Sequence, residues 1–198
     1  MVIRLILIIL LAIIIRLWSN QFVNDNMHKY NVVDVCHDIF PNLSDVNMIV
    51  TVYDSYTIVP IILLLYKTIK NKNWVILKEY LVLASLLNIL RGFFYTITIL
   101  PNPNSSCKLN NASIWNDIIS GTCHDLIFSG HIGNSFLAWK FLIEYYNIPE
   151  RWAIVHQIIL VFLMLSQRKH YSIDVIIAYL TVYTLFDNKD MIYDFFNI

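Results

Sequence analysis

Long apolar runs alternate with short polar breaks along this chain. A helix needs about 20 apolar residues to cross the hydrocarbon of a bilayer. Six stretches approach that length: Val2–Trp18, Met48–Tyr66, Trp74–Leu100, Leu126–Tyr146, Trp152–Gln167 and Tyr171–Phe186. The pattern predicts an all-α fold, a polytopic membrane bundle of about six transmembrane helices. The first run is bounded by Arg4 and Arg16, whose long stems can snorkel to the two interfaces. No small-residue cleavage pattern follows it, so it reads as an uncleaved anchor, not a signal peptide. The fifth run is short and polar at His156, Gln157 and Ser166, as in a helix that faces protein more than lipid.

Charge gives the bundle its sides. Lys67, Lys70, Lys72 and Lys78 cluster at one short loop and Arg151 sits in the other on that side. The positive-inside rule makes that side cytoplasmic. Residues 19–47, residues 101–125 and the turn near Gln167–His170 then face the exoplasm or a lumen. The sequons at Asn42, Asn104 and Asn111 fall there. So do Cys36, Cys107 and Cys123, which allow at most one internal bridge.

Composition narrows the class. The chain has 198 residues, 58% hydrophobic and 14% charged, with 14 Lys+Arg against 14 Asp+Glu. A soluble domain would be about a quarter charged. Zero net charge argues against a nucleic-acid partner, which needs a basic surface. High hydrophobicity excludes disorder. The length suits a single integral membrane domain over residues 1–198. Neither a repeat nor a spaced His/Cys metal motif is present.

Two polar stretches sit where an exoplasmic loop meets a span. Residues 123–131 read Cys-His-Asp-Leu-Ile-Phe-Ser-Gly-His, and residues 170–175 read His-Tyr-Ser-Ile-Asp-Val. If the helix runs from Tyr171, His170 and Asp174 stand i,i+4 and share a face. A carboxylate beside an imidazole fixes its tautomer. Ser129-Gly130-His131 opens the fourth span, where Gly130 permits close backbone approach and backbone N–H groups favour an anion. Each motif alone has an ordinary reading: a self-satisfied His–Asp pair, or a capping Ser with an interfacial His. Together on one face they fit phosphoryl transfer through a phosphohistidine, one imidazole attacking phosphorus and the other protonating the leaving oxygen.

These residues resemble the sphingomyelin synthase family, a branch of the PAP2 lipid phosphatase/phosphotransferase superfamily. The family's Cys-Gly-Asp and Ser-Gly-His-Thr are similar to Cys123-His124-Asp125 and Ser129-Gly130-His131-Ile132. Its His-Tyr-Thr-x-Asp-Val and later Ala-Tyr are similar to His170 through Val175 and to Ala178-Tyr179. Arg91 through Thr98, Leu100, Pro101 and Cys107 look like a further motif, and Asp34–Pro41 a fainter one. His124, Ile132 and Ser172 depart from the pattern. The resemblance implies a PAP2-like core, His170 as nucleophile, Asp174 as its orienting partner and His131 as second acid/base. It implies a glycerophospholipid donor, ceramide as acceptor, diacylglycerol as product, and no metal or other cofactor. Phosphocholine, phosphoethanolamine and phosphoinositol all suit as headgroup. The setting expected is the Golgi, endoplasmic reticulum or plasma membrane; a homo-oligomer is left open. A Cys107–Cys123 bridge, if formed, closes the loop over the site.

The remaining charges have paired readings. Arg91 and Asp54 lie at similar depth, so Arg91 holds the phosphate with Asp54 as its counter-charge, or the two form a structural ion pair. Arg168 or Lys169 neutralises the phosphate, or anchors the interface. Asp125 orients a group in the site or caps the fourth span. Ser129, Gly130 and Tyr171 join Arg91, Asp125 and Arg168 as substrate-binding candidates. Tyr95, Trp115, Phe128 and Tyr171 offer faces to a quaternary ammonium, or are belt aromatics. Asp34, His37 and Asp38 lack a fourth metal ligand. His156 reads as a satisfied bundle histidine. Against transfer stand two alternatives, a hydrolase that resolves the phosphohistidine with water and a non-catalytic scaffold. Phe128 and Arg168 depart from the hydrolases' Pro-Ser-Gly-His and distant Arg, which favours transfer.

Overall fold

The structure is a computed structural model that describes residues 2–25, 32–44, 47–104 and 126–197. Eight helices account for most of them: α1 Val2–Asp25, α2 Val35–Ile39, α3 Asn47–Lys70, α4 Trp74–Ile97, α5 Gly130–Tyr146, α6 Glu150–Ser166, α7 Ser172–Asp187 and α8 Lys189–Phe196. Six of them match the six apolar runs, and their side-chain contacts show which way each points. Tyr53 meets His131 and Thr68 meets Tyr146, so α3 and α5 run parallel. Phe136 meets Tyr179 and Phe141 meets Phe186, so α7 runs with them. Tyr80 meets Phe141 while Asn88 meets Asn134, so α4 runs the other way. In α6, Gln157 meets Ser135 and Met164 meets Ser129, again opposite to α5. Finally α1 lies along α4 in the same direction, with Arg16 beside Tyr95. Direction therefore alternates along the chain, as in an up-and-down bundle.

Among the described residues, Val52–Lys70 and Trp74–Ile97 are long and apolar enough to cross a membrane. The helices α5, α6 and α7 have 17, 17 and 16 residues. At 1.5 Å per residue each is about 25 Å long, short of a full bilayer core. Their shortness has a local cause. The fourth apolar run begins at Leu126, but residues 126–129 are non-helical and the helix starts only at Gly130. The sixth begins at Tyr171, which is the N-cap and not the first turn. Both shortened ends carry the polar motifs.

Helix α5 is the hub. Residues Ile132, Gly133 and Ser135 through Trp139 are buried, because α3, α4, α6 and α7 all pack against it. Helix α1 packs mainly on α4, where Gly92 makes room: an added Cβ would lie 2.6 Å from Ile15 Cγ2. The large apolar side chains left outside form stripes at helical spacing. Ile6, Leu10, Ile14 and Trp18 line α1, and Ile173, Ile176, Leu180 and Tyr183 line α7. A surface of that kind is what hydrocarbon tolerates and water does not.

Several polar residues inside are partnered across helices. Pro60 sits within α3 and lacks the N–H that would bond the Tyr56 carbonyl. His156 on α6 takes that carbonyl with Nε2 at 3.0 Å, and its ring stacks on Tyr56 at 4.2 Å. Gln157 donates to Ser135 Oγ at 3.0 Å and accepts from Tyr179 OH at 3.0 Å, joining α5, α6 and α7. This is why the fifth run carries polar residues, and His156 is the satisfied bundle histidine its position suggests. Asn147 in the left-handed region (φ 50°) ends α5, and Lys67 and Lys70 favour the C-terminal dipole of α3.

Candidate active site

At one end of the bundle the two polar motifs are stitched together by backbone. Ser129 N–H donates to the Asp174 carbonyl at 3.3 Å. Ser129 is the N-cap of α5, its Oγ accepting from Ile132 N–H at 3.4 Å. His170 sits just before α7, and its Nδ1 lies 3.2 Å from Asp174 Oδ2 and 3.1 Å from the Leu126 carbonyl. Both neighbours are acceptors, so Nδ1 carries the hydrogen and Nε2 keeps its lone pair. The same Asp174 oxygen accepts Tyr171 N–H at 2.9 Å. Asp174 is fully buried and His170 nearly so. The contact expected from i,i+4 spacing is therefore made, by another route. His170 is outside the helix, and Asp174, three residues past the N-cap, reaches back as a capping carboxylate.

His131 occupies the first turn of α5. Its ring lies 5.0 Å from that of Tyr53, and its Nε2 lies 3.8 Å from Asp54 Oδ1. Lys169 Nζ is 3.0 Å from the same oxygen and 4.5 Å from the Tyr53 ring centre. Arg91 is buried on α4. Its Nε donates to the Phe128 carbonyl at 2.8 Å, and its guanidinium lies over the Tyr95 ring at 5.5 Å. A Cβ at Gly130 would come within 3.0 Å of Arg91 Nε, so glycine is what lets the guanidinium lie against the start of α5. His170, Lys169, Arg91 and Arg16 all lie within electrostatic range of His131. Cations gathered beside an imidazole whose Nε2 keeps its lone pair are suited to hold and attack a phosphoryl group.

Several expected partners are arranged otherwise. Asp54 does not pair with Arg91 among the described residues; it serves Lys169 and His131. Arg168 is turned from the cluster. It adopts φ 54° and donates from Nη1 to the Leu165 carbonyl at 2.8 Å, and from Nη2 to the carbonyls of His37 and Phe40. A cation spent on three carbonyls ties the chain in place and has little left for substrate. Tyr171 is buried, donates to the Pro101 carbonyl at 2.9 Å and stacks on His37, so its face is covered. Asp125 lies outside the described residues, as do Cys107, Asn111, Trp115, Cys123 and His124.

The segment around α2 has a role that its sequence did not disclose. Asp34 caps α2 through Cys36 N–H at 2.9 Å and accepts Ser172 N–H, the first of α7, at 2.5 Å. His37 Nε2 holds the His170 carbonyl at 2.9 Å, and Leu43 N–H donates to the Ser166 carbonyl at 2.7 Å. This strap fixes the turn that carries His170. Burial works against the Asp34 carboxylate, but hydrogen bonds from Ser172 and Cys36 and the nearby His37 outweigh it and hold its carboxyl below the usual range. Lys169 and Arg16 are the cations that sequence reading placed least well. Lys169 stood beside Arg168 with equal claim, and Arg16 looked like an interfacial anchor.

No curated protein matches the chain closely. Residues 122–191, about a third of the chain, match the family model described as PAP2 superfamily C-terminal. That segment carries Ser129, Gly130, His131, His170 and Asp174, and the match supports the PAP2 superfamily and chemistry of the lipid phosphatase and phosphotransferase type.

Proposed function

We propose that this protein is a lipid headgroup transferase of the sphingomyelin synthase kind. It moves a phospho-headgroup from a glycerophospholipid to ceramide through a phosphohistidine and releases diacylglycerol. The observation that carries the reading is His170 held by Nδ1 between Asp174 and the Leu126 carbonyl, with His131, Lys169 and Arg91 gathered at the same end. In the first half, His170 Nε2 attacks phosphorus and His131 gives a proton to the departing diacylglycerol oxygen. Lys169 and Arg91 balance charge on the phosphoryl oxygens. Asp174 steadies the charge that builds on His170. In the second half, the ceramide hydroxyl gives its proton back to His131 and takes the headgroup.

The same reading makes the chain a six-crossing protein, with the site on the exoplasmic or lumenal face. The alternating helix directions support it, as do the lysines at the opposite end.

The test supplies membranes holding the protein with fluorescent ceramide and with choline, ethanolamine or inositol phospholipids in turn. A fluorescent phosphosphingolipid that disappears in His170→Ala is the expected result. Release of free headgroup phosphate with no dependence on ceramide would make the protein a hydrolase instead.

A further inference from the structure

One carboxylate does not fit a site built to hold phosphate. Asp54 stands beside Lys169 and His131, and its side chain is 41% exposed. Its Oδ1 is shared between Lys169 at 3.0 Å and His131 Nε2 at 3.8 Å, while Oδ2 makes no hydrogen bond among the described residues. A carboxylate repels a phosphoryl group, and when ionised it only accepts hydrogen bonds. What it can recognise is a donor. It also stands beside the nitrogen that must collect the acceptor's proton.

We infer that Asp54 is the acceptor-recognition residue, its carboxylate receiving a hydrogen bond from a second donor group on the lipid alcohol that takes the headgroup. The inference rests on the transfer reading above. The bonds of that half-reaction show why a second donor is needed. The acceptor hydroxyl oxygen forms the new bond to phosphorus. The bond from phosphorus to His170 Nε2 breaks, and its electron pair returns to the imidazole. The hydroxyl proton passes to His131 Nε2, which lost its own to diacylglycerol in the first half. That proton is committed, so Asp54 takes a different one, from a neighbouring hydroxyl or amide N–H on the same molecule. Ceramide carries both. Diacylglycerol carries one hydroxyl flanked by ester oxygens and offers Asp54 nothing. The residue thereby sets direction, favouring the lipid that should accept over the product that has just left.

The experiment uses the whole protein in liposomes of the donor phospholipid. It compares initial rates of headgroup transfer onto fluorescent ceramide and onto fluorescent diacylglycerol. In the wild type, ceramide is favoured. A hydrogen bond to a charged group carries about a ten- to hundredfold preference. Asp54→Asn lowers that ratio about tenfold, whatever it does to the two absolute rates. Asp54→Glu keeps most of the preference. A second measurement needs no variant: ceramide methylated at its amide nitrogen and its secondary hydroxyl falls to the diacylglycerol rate on wild-type protein. Equal loss of both rates in Asp54→Asn, or full activity with methylated ceramide, overturns the inference and leaves transfer standing. Headgroup release with neither labelled product overturns the transfer reading, and this inference with it.

Discussion

Each end of the bundle holds polar side chains between helices. At the far end, Glu79 accepts from Tyr145 OH at 2.8 Å, Glu144 pairs with Lys189 at 3.0 Å and Thr68 meets Tyr146 OH at 3.0 Å. These groups are matched by neighbours, although the buried Tyr193 hydroxyl beside them has no hydrogen-bond partner among the described residues, and the aromatic rings of Phe186 and Tyr183 cover the lysines Lys140 and Lys189. The site end is richer in cations: among the described residues Arg91, Lys169 and Arg16 gather around His131 and His170, and Asp174 holds His170 in place. Charges in hydrocarbon are expensive unless paired. Carboxylates, phenols and lysines bonded to one another fasten helices together, whereas cations gathered beside an oriented imidazole suit an anionic ligand. The contrast separates a packing cluster from a site more clearly than depth or burial does.

Substitutions can break this contrast, and the largest effect belongs to the histidine's partner. Asp174→Asn removes the carboxylate charge that steadies the His170 imidazolium and leaves Nδ1 the Leu126 carbonyl and a neutral amide, and headgroup transfer falls about a hundred- to ten-thousandfold while the protein still melts cooperatively in detergent. Arg91→Lys keeps the charge and loses the planar fork, lowering transfer about ten- to hundredfold; full activity would mean that Arg91 does not grip phosphate in two places. Gly130→Ala pushes a methyl toward Arg91 Nε and costs about tenfold in rate by displacing the guanidinium.

Two smaller effects sharpen it. Because the fold holds the Asp34 carboxyl below its unfolded value, it stabilises the strap at neutral pH. That contribution drains away as pH drops below about 4. Melting temperature followed from pH 7 to pH 3 should fall less steeply in Asp34→Asn. At the far end, Glu79→Gln weakens one hydrogen bond, lowers stability by about 1 kcal/mol in a detergent melt and leaves transfer within about twofold. A large loss of transfer from Glu79→Gln would erase the distinction between the two ends.

How much of this could be read beforehand differs by residue. The His170–Asp174 contact was legible because four positions in sequence bring two side chains together whether Asp174 shares a helix face or reaches back as a cap. The apolar runs gave the helices because a long apolar stretch away from water satisfies its own backbone N–H and C=O groups as a helix. Their starts were misplaced at Leu126 and Tyr171, since an apolar residue in a non-helical entry looks the same as one in the first turn. Between Arg168 and Lys169 the sequence offered no choice. The decision came from the left-handed φ of Arg168, which turns its guanidinium toward carbonyls supplied by a segment 130 residues earlier. Asp54 was placed at the right depth and given the wrong partner, because depth along a helix says nothing about which neighbour lies across from it. The strap from Asp34 to Leu43 showed only as a faint resemblance, as its work is done through backbone groups that any sequence has.

Pro60 has a consequence beyond its own turn. A carbonyl released from its helix at one height needs a donor at that height, and His156 is the donor. If α3 slid by a turn against α6, the carbonyl would be stranded and the imidazole would face a wall of occupied groups. The defect thus acts as a detent: it sets the helix at one notch and resists the notches on either side. Tyr53 and Asp54 ride on the same rod, about 10 Å further along at 1.5 Å per residue. Their alignment with His131 and Lys169 is held by a missing hydrogen two turns away.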